Sequence, residues 1–215
     1  MSPAFLLTAS ARIISKEKIT VALSGQIFVT GGRGDHEMSE SVECFDPVTG
    51  AWAALPPMNT PRYCHAMVSF NGKLYVAGGL DTHTHITKSV ECFDPATRVW
   101  TTLAPLNEKR VNVGLAVLGD KLYALGGGFG SVECLDLSLS DSQWTPVAPR
   151  LTAQLSMHFS GAIGTAGKIY ATGAFSTATM IYLEYLDPKE GPRGQWTMSY
   201  EPVEGFTKDS KFTAI

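Results

Sequence analysis

The sequence predicts an all-β fold, a β-propeller made of four recognisable four-stranded blades, and three recurrences predict it. Glycine pairs stand at Gly31-Gly32, Gly78-Gly79 and Gly126-Gly127, with Gly173-Ala174 as a degenerate fourth, at intervals of 47, 48 and 47 residues. Each pair is followed by one of the four tryptophans, Trp52, Trp100, Trp144 and Trp196. Between them stands the phrase SVECFDP, letter for letter at Ser41–Pro47 and Ser89–Pro95, weakened to SVECLDL from Ser131 and to YLEYLDP before Asp187. A repeated carboxylate, cysteine and aromatic fits either a multiplied active site or a structural unit. The common period decides for the structural unit, because everything else recurs with it.

Each copy reads as four short strands. In the second, CHAMVSF and KLYVAGG flank Asn71-Gly72, a two-residue hairpin signal in which both positions tolerate positive φ. SVECF and VWTTL then flank DPATR, where Pro95 sets a turn and the Asp94 side chain can accept from the turn backbone. The first copy takes its opening strand from SARIISKEKITVAL, and the strands QIFVTGG, KLYALGG and KIYATGA repeat KLYVAGG. The copies run over about 17–62, 63–110, 111–155 and 156–205, with residues 1–16 as a poorly defined leader and 206–215 as a tail. A glycine pair suits a strand end crowded by neighbouring backbone and calling for positive φ. The tryptophan is expected to wedge between adjacent blades, burying apolar surface that no single blade can cover. Val42 and Cys44 point to one face of their strand, Glu43 and Phe45 to the other. Glu43, Glu91, Glu133 and Glu184 are read as structural hydrogen-bond or ion-pair groups, with Arg62 and Arg110 as candidate partners.

The 215 residues suffice for one sizeable all-β domain, and 44% apolar against 17% charged residues is a globular composition. A formal charge of −3 with scattered Lys and Arg offers no stripe to neutralise phosphates, so nucleic acid is not an expected partner. No apolar run reaches bilayer length, so no membrane partner is expected either. The opening MSPAFLLTASA faintly resembles a secretory leader, but no Lys or Arg precedes its short apolar patch. Cys44, Cys92 and Cys134 fall at equivalent places in successive copies, beyond bridging distance, and unbridged thiols favour a reducing, cytoplasmic setting.

Apolar strand, Gly-Gly, aromatic-Asp turn and Trp at this spacing resemble the kelch motif of kelch β-propellers. GKLYVAGG, SVECFDPATRVW and LAPLNEKR are similar to the kelch domains of the BTB-kelch family, whose members are substrate adaptors of cullin-RING ubiquitin ligases. The match is fullest over Ile19–Arg110; in the third and fourth copies the Asp-to-Trp gap grows from six residues to eight and nine. The family usually closes with about six blades, within the roughly four to eight of propellers generally, so four copies imply a partial propeller whose unclosed blade edge could pair two chains into a dimer. The family's BTB and BACK segments have no counterpart here, so the resemblance implies the recognition half of an adaptor. It implies a non-enzymatic module that binds other proteins, through ubiquitin-ligase machinery or, alternatively, actin; a kelch-fold enzyme of oxidase or epimerase type is the remaining alternative.

The resemblance also places the docking face, on the loop after each glycine pair and on the loop linking successive blades. Those loops are residues 33–40, 80–88, 128–130 and 174–180, and residues 58–64, 106–112 and 150–157. Candidate partner-binding residues are Arg33, Asp35, His36, Glu37, Arg62, Cys64, Asp81, His83, His85, Lys88, Arg110, Asn112 and Phe129. Members of the family often read acidic degrons with an arginine two places beyond the Pro-Arg position. Cys64 and Asn112 stand there instead, which puts that route in doubt. Arg33-Gly34-Asp35 spells an integrin tripeptide, read as a chance match because the cysteines point to a reducing compartment. His83 and His85 with Asp81 fall short of the three or four ligands of a stable zinc site, so no metal is expected. GGGFGS from Gly126 is followed by a strand where a phosphate loop needs a helix, and no GxSxG, HExxH or CxxC occurs. No catalytic residue and no cofactor are expected.

Overall fold

The computed structural model describes residues 18–33, 39–127, 130–149, 158–174, 181–190 and 195–199. The expected leader and tail, 1–16 and 206–215, lie outside them. The chain forms two compact units, Met1–Leu103 and Ala104–Ile215. All the strands are antiparallel and each sheet is a four-stranded meander in chain order. In the first unit, β1 (Ile19–Leu23), β2 (Gln26–Thr30), β3 (Val42–Phe45) and β4 (Trp52–Leu55) form one sheet. The other sheet of this unit is β5 (Ala66–Phe70), β6 (Lys73–Ala77), β7 (Val90–Asp94) and β8 (Val99–Thr102). In the second unit, β9 (Gly114–Leu118), β10 (Lys121–Leu125), β11 (Val132–Asp136) and β12 (Thr145–Val147) form the third sheet. The fourth is β13 (His158–Thr165), β14 (Lys168–Ala174), β15 (Ile181–Leu186) and β16 (Trp196–Ser199). The fold is the expected all-β one, with four blade-type sheets.

Local chemistry sets these elements as the sequence implies. Asn71 and Gly72 both take positive φ, 46° and 74°, and close the β5–β6 hairpin with Phe70 opposite Lys73. At the same end of the sheet, the aspartate that closes the repeated phrase caps its turn in every copy. Asp46 Oδ1 accepts from Val48 N at 2.8 Å, Asp94 from Ala96 N at 2.9 Å, Asp136 from Ser138 N at 3.0 Å and Asp187 from Lys189 N at 3.0 Å. Gly79 shows why the pair must be glycine. Its φ is +94°, and a Cβ there would lie 2.6 Å from the Tyr63 carbonyl oxygen. The crowding comes from the loop entering the second sheet.

Three of the indoles are hydrogen-bonded to backbone within their own unit. Trp100 Nε1 donates to Pro56 O at 2.9 Å, Trp144 to Ala104 O at 2.8 Å and Trp196 to Ala148 O at 2.9 Å. Pro56 and Ala148 directly follow β4 and β12, the last strands of the preceding sheets, so Trp100 and Trp196 each join two sheets of one unit with the polar edge of the indole satisfied. The first unit's core joins Phe28, Val42 and Cys44 of one sheet to Met67, Leu74, Val76 and Phe93 of the next. The second unit's joins Tyr123, Leu125 and Cys134 to Ile169, Ala171 and Leu186. The late copies are less regular, as their spacing suggested. β12 has three residues including Pro146, and the β13–β14 register shifts between Phe159 and Gly161.

Candidate functional site

The loop face rests on a buried ion-pair clip. Arg62, expected to meet a partner, is 0% exposed. Its Nη2 reaches Glu91 Oε1 at 2.5 Å and Ser89 Oγ at 2.9 Å, while Nη1 donates to Gly78 O at 2.9 Å. Glu91 also accepts from the backbone of Asn59 at 2.7 Å and Thr60 at 3.1 Å. The carboxylate thereby ties the interblade loop to β7. Burial pushes the Arg62 guanidinium below its usual pKa, with Glu91 pulling it back up. Arg110 repeats the arrangement in the third sheet. Nε donates to Glu133 Oε1 at 2.8 Å, Nη1 to Gly126 O at 2.7 Å and Nη2 to Ser131 Oγ at 2.9 Å. Arg62 and Arg110 are therefore corrected from docking groups to internal fasteners, because all their polarity is satisfied inside the blade. The reading of the repeated glutamate as structural holds for Glu91 and Glu133.

Two residues beyond each fastener the chain turns outward. Cys64 and Asn112 both adopt left-handed backbone, φ 53° and 54°. The cause is the pairing just before them. Tyr63 and Leu80 exchange backbone bonds at 3.2 and 2.9 Å, and Val111 N donates to Gly127 O at 3.2 Å. Neither residue is a glycine, so local strain is held by these bonds. Asn112 is exposed and Cys64 half-buried. No disulfide joins the four cysteines, and Cys44, Cys92 and Cys134 are buried.

The loop after Gly79 is self-supporting. Leu80 bridges to Ile86 as well as Tyr63, Thr87 N donates to Gly79 O at 3.0 Å, and Asp81 N donates to His85 O at 3.0 Å. Asp81 Oδ1 accepts from the backbone of His83 at 2.8 Å and His85 at 2.9 Å, which holds its carboxyl below the usual carboxylate range. His83 and His85 are exposed with ring centroids 5.9 Å apart. Among the described residues no group of three metal-ligating side chains converges. Lys88 is exposed at the end of this loop. Arg33 is exposed in the first sheet's loop, its guanidinium 5.9 Å above the Tyr63 ring. Thus the first unit places Arg33 beyond β2, Cys64 ahead of β5 and Asp81, His83, His85 and Lys88 between β6 and β7, while Asn112 belongs to the second unit. Asp35, His36, Glu37 and Phe129 lie outside the described residues.

Sequence reasoning missed His65. It is 2% exposed, with Nε2 2.9 Å from Thr30 Oγ1, while that hydroxyl faces Met67 Sδ at 3.6 Å. Its Nδ1 is buried with no hydrogen-bond partner among the described residues. Burial and the Arg62 charge push its pKa down to about 3. A Cβ on Gly31 would overlap the Arg62 carbonyl and stand 2.7 Å from His65 Cε1, so the first glycine pair and this imidazole shape each other. The available signal was positional, since the equivalent place in the next junction is Val113.

The family of domains described as the KLHDC2/KLHL20/DRC7 Kelch-repeats domain matches residues 13–200. The chain belongs to the kelch-repeat family. An alignment with the influenza virus NS1A-binding protein homolog of Mus musculus is 40% identical over 65 residues, 30% of this chain and 10% of that protein. The F-box/kelch-repeat protein At1g67480 of Arabidopsis thaliana is 40% identical over 63 residues, 29% of this chain and 17% of that protein. Kelch-like ECH-associated protein 1A of Danio rerio is 34% identical over 67 residues, 29% of this chain and 11% of that protein. This kelch chain thus aligns with only 10 to 17% of the length of those relatives. A solved structure titled Structure of YjhT superposes with a TM-score of 0.72 over 89% of this chain and 72% of that one, at 17% identity, a likeness of fold. The kelch domain here is of the protein-interaction class found in kelch-like proteins.

Proposed function

We propose that this kelch domain recognises a protein partner through its loop face and serves as the substrate-recognition part of a cullin-RING ubiquitin-ligase adaptor in the cytoplasm. The observation that carries the reading is the division of labour in the two described junctions. A buried Arg-Glu clip fixes the loop, and two residues later comes a left-handed residue, the half-buried Cys64 or the exposed Asn112. A rigid rim with varied, exposed side chains meets a partner at little ordering cost. The exposed Arg33, His83, His85 and Lys88 supply cations and rings around that rim in the first unit, while Asp81 is engaged by its own loop. The chemistry is that of binding, and no step of bond making is assigned.

The test is quantitative affinity capture from cells with the full chain. Loop variants Lys88→Glu and Asn112→Arg are compared with Val48→Asp, at a 90% exposed position in a β3–β4 turn at the opposite end of its sheet. Partners lost with the loop variants and kept with Val48→Asp, and accumulating when cullin activation is blocked, support the reading. A partner set indifferent to the loop variants overturns the docking face. Loop-dependent partners that do not respond to the cullin block overturn the ligase role alone.

A further inference from the structure

Between the third and fourth sheets a cleft of about 510 Å³ opens at the turn ends of the strands, wholly within the second unit and at the opposite end of β10 from Gly126 and the loop face. Leu118, Lys121 and Tyr123 line it from one sheet, Pro188 and Lys189 from the other. Lys121 and Tyr123 are two places apart on β10 and so point to one face, the face on which Tyr123, Leu125 and Cys134 pack against the fourth sheet. The second sheet repeats both residues as Lys73 and Tyr75, and there each is engaged. Lys73 pairs with Asp94 Oδ2 at 3.5 Å, and the Tyr75 hydroxyl donates to the Cys92 sulfur. The third sheet draws both acceptors away. Ser138, where the second sheet has Ala96, gives its hydroxyl to Asp136 Oδ1 at 2.5 Å, and Thr145 Oγ1 lies 3.3 Å from Cys134 Sγ. Among the described residues no hydrogen bond or ion pair then engages the Lys121 ammonium, the Lys189 ammonium or the Tyr123 hydroxyl. Tyr123 is only 4% exposed. Among the described residues the one sealed side-chain polar atom without a partner is His65 Nδ1, so the Tyr123 hydroxyl is not sealed, and the space it opens onto is the cleft.

We propose that this cleft binds a small monocarboxylic acid, with its carboxylate between Lys121 and the Tyr123 hydroxyl and its apolar body along Leu118 and Pro188. The volume falls in the range of about 300–1,000 Å³ that suits a small organic molecule. The free donors select an anion, since an ammonium and a phenol hydroxyl both donate to a carboxylate oxygen. Burial pushes the pKa of Tyr123 up to about 12, so the hydroxyl keeps its proton and donates. Asp120 and Asp136 also line the cleft and limit the charge it accepts. Against Lys121 and Lys189 they bring the charged lining to zero, so a phosphate or dicarboxylate meets repulsion that one carboxylate held at the lysine avoids. In the first sheet Gln26 and Phe28 hold the two places on the face that meets the second sheet, so the first unit offers neither the cation nor the phenol.

The experiment is isothermal titration calorimetry of the full chain with phenylacetate, isovalerate and octanoate, with phenylacetamide and phenyl phosphate as the uncharged and doubly charged comparisons. The expected result is saturable one-to-one binding of at least one of the three acids, several-fold weaker binding of both comparisons, and a several-fold loss of affinity in Lys121→Gln and in Tyr123→Phe. The two variants cover each other, because Lys121 is exposed and Tyr123→Phe keeps the ring that packs in the core. Lys73→Gln, in the paired copy of the phrase, leaves the affinity unchanged. No saturable binding of any of the three acids overturns the proposal. So does binding that survives both variants, which places the acid elsewhere, and so does binding equalled by phenylacetamide or exceeded by phenyl phosphate, which removes the single carboxylate from the recognition.

Discussion

In the second sheet Glu91 accepts from Arg62 and from two backbone amides, with side chains 1% and 0% exposed. In the first sheet Glu43 occupies the same register but meets Lys18 at 3.1 Å, with side chains 23% and 17% exposed. The repeated phrase is identical in the two, so the carboxylate is not what differs. The difference lies in the cation and in its place along the chain. Arginine's planar fork can satisfy a carboxylate, a hydroxyl and two carbonyls at once, which permits full burial, while a lysine ammonium is a point charge that keeps part of its water. One repeat therefore makes its clip an internal part of the blade, and the other uses a surface pair.

The largest break of that comparison is Glu91→Ala. It strands a buried guanidinium and the amides of Asn59 and Thr60, and is expected to cost about 3–5 kcal/mol in denaturant unfolding. Hydrogen exchange should localise the loss to the loop of residues 58–64. If the loss is no larger than that of a surface pair, Arg62 has found water and the clip is not what fixes the loop. Replacing both partners, Arg62→Met with Glu91→Leu, is expected to recover part of the stability but not the loop's protection, because the amides remain unmet.

His65 separates the first junction from the second by pH. Its folded pKa is near 3 and its unfolded value near 6.5, so the imidazole is neutral when folded and gains a proton on unfolding. Its contribution is complete above the unfolded value and is lost as pH falls toward 3. By linkage the loss reaches about 2 kcal/mol by pH 5, along a slope of about 1.4 kcal/mol per unit. Asp46, Asp81, Asp94 and Asp136, all held below the usual carboxylate range, add their losses only at lower pH. His65→Val, which copies the second junction's Val113, is expected to flatten the curve between pH 6.5 and 5. A slope that persists in the variant assigns the effect elsewhere.

The repeat was legible because its physics is local. Asn71-Gly72, the aspartate-capped turns and the glycine pairs each need one residue type at one backbone position, and a fixed period multiplies the signal. The tryptophans were legible for the opposite reason, since a large indole recurring once per unit has to be buried between units. Arg62 and Arg110 were misplaced because position in a loop and burial are independent. The chain tucks the guanidinium under the loop that carries it, and only the strand carbonyls of Gly78 and Gly126 reveal that direction. His65 was invisible because a single imidazole among apolar neighbours has no periodic partner.

A smaller effect tests the indoles. Trp100→Phe keeps a ring beside Phe93 but removes the bond to Pro56 O, with an expected cost of about 1 kcal/mol plus lost packing. Trp196→Phe, with its bond to Ala148 O, should cost about the same. Equal losses would show that the bridge works alike in both units, and a loss confined to one would show that packing, not the hydrogen bond, holds the indole.

The smallest effect sharpens the opening contrast most. Lys18→Ala removes a partly exposed cation, and the expected cost is about 0.5 kcal/mol in dilute buffer. Salt should erase it, since about 1 M salt shortens the screening length to about 3 Å, the separation of the pair itself. The Glu91→Ala loss should survive the same salt, because ions do not enter a clip with no exposed surface. If both losses shrink together in salt, water reaches Arg62 and the two sheets share one mechanism. If only the Lys18 loss shrinks, one phrase supports two electrostatic regimes, set by whether the cation comes from the strand's own threshold or from beneath the following loop.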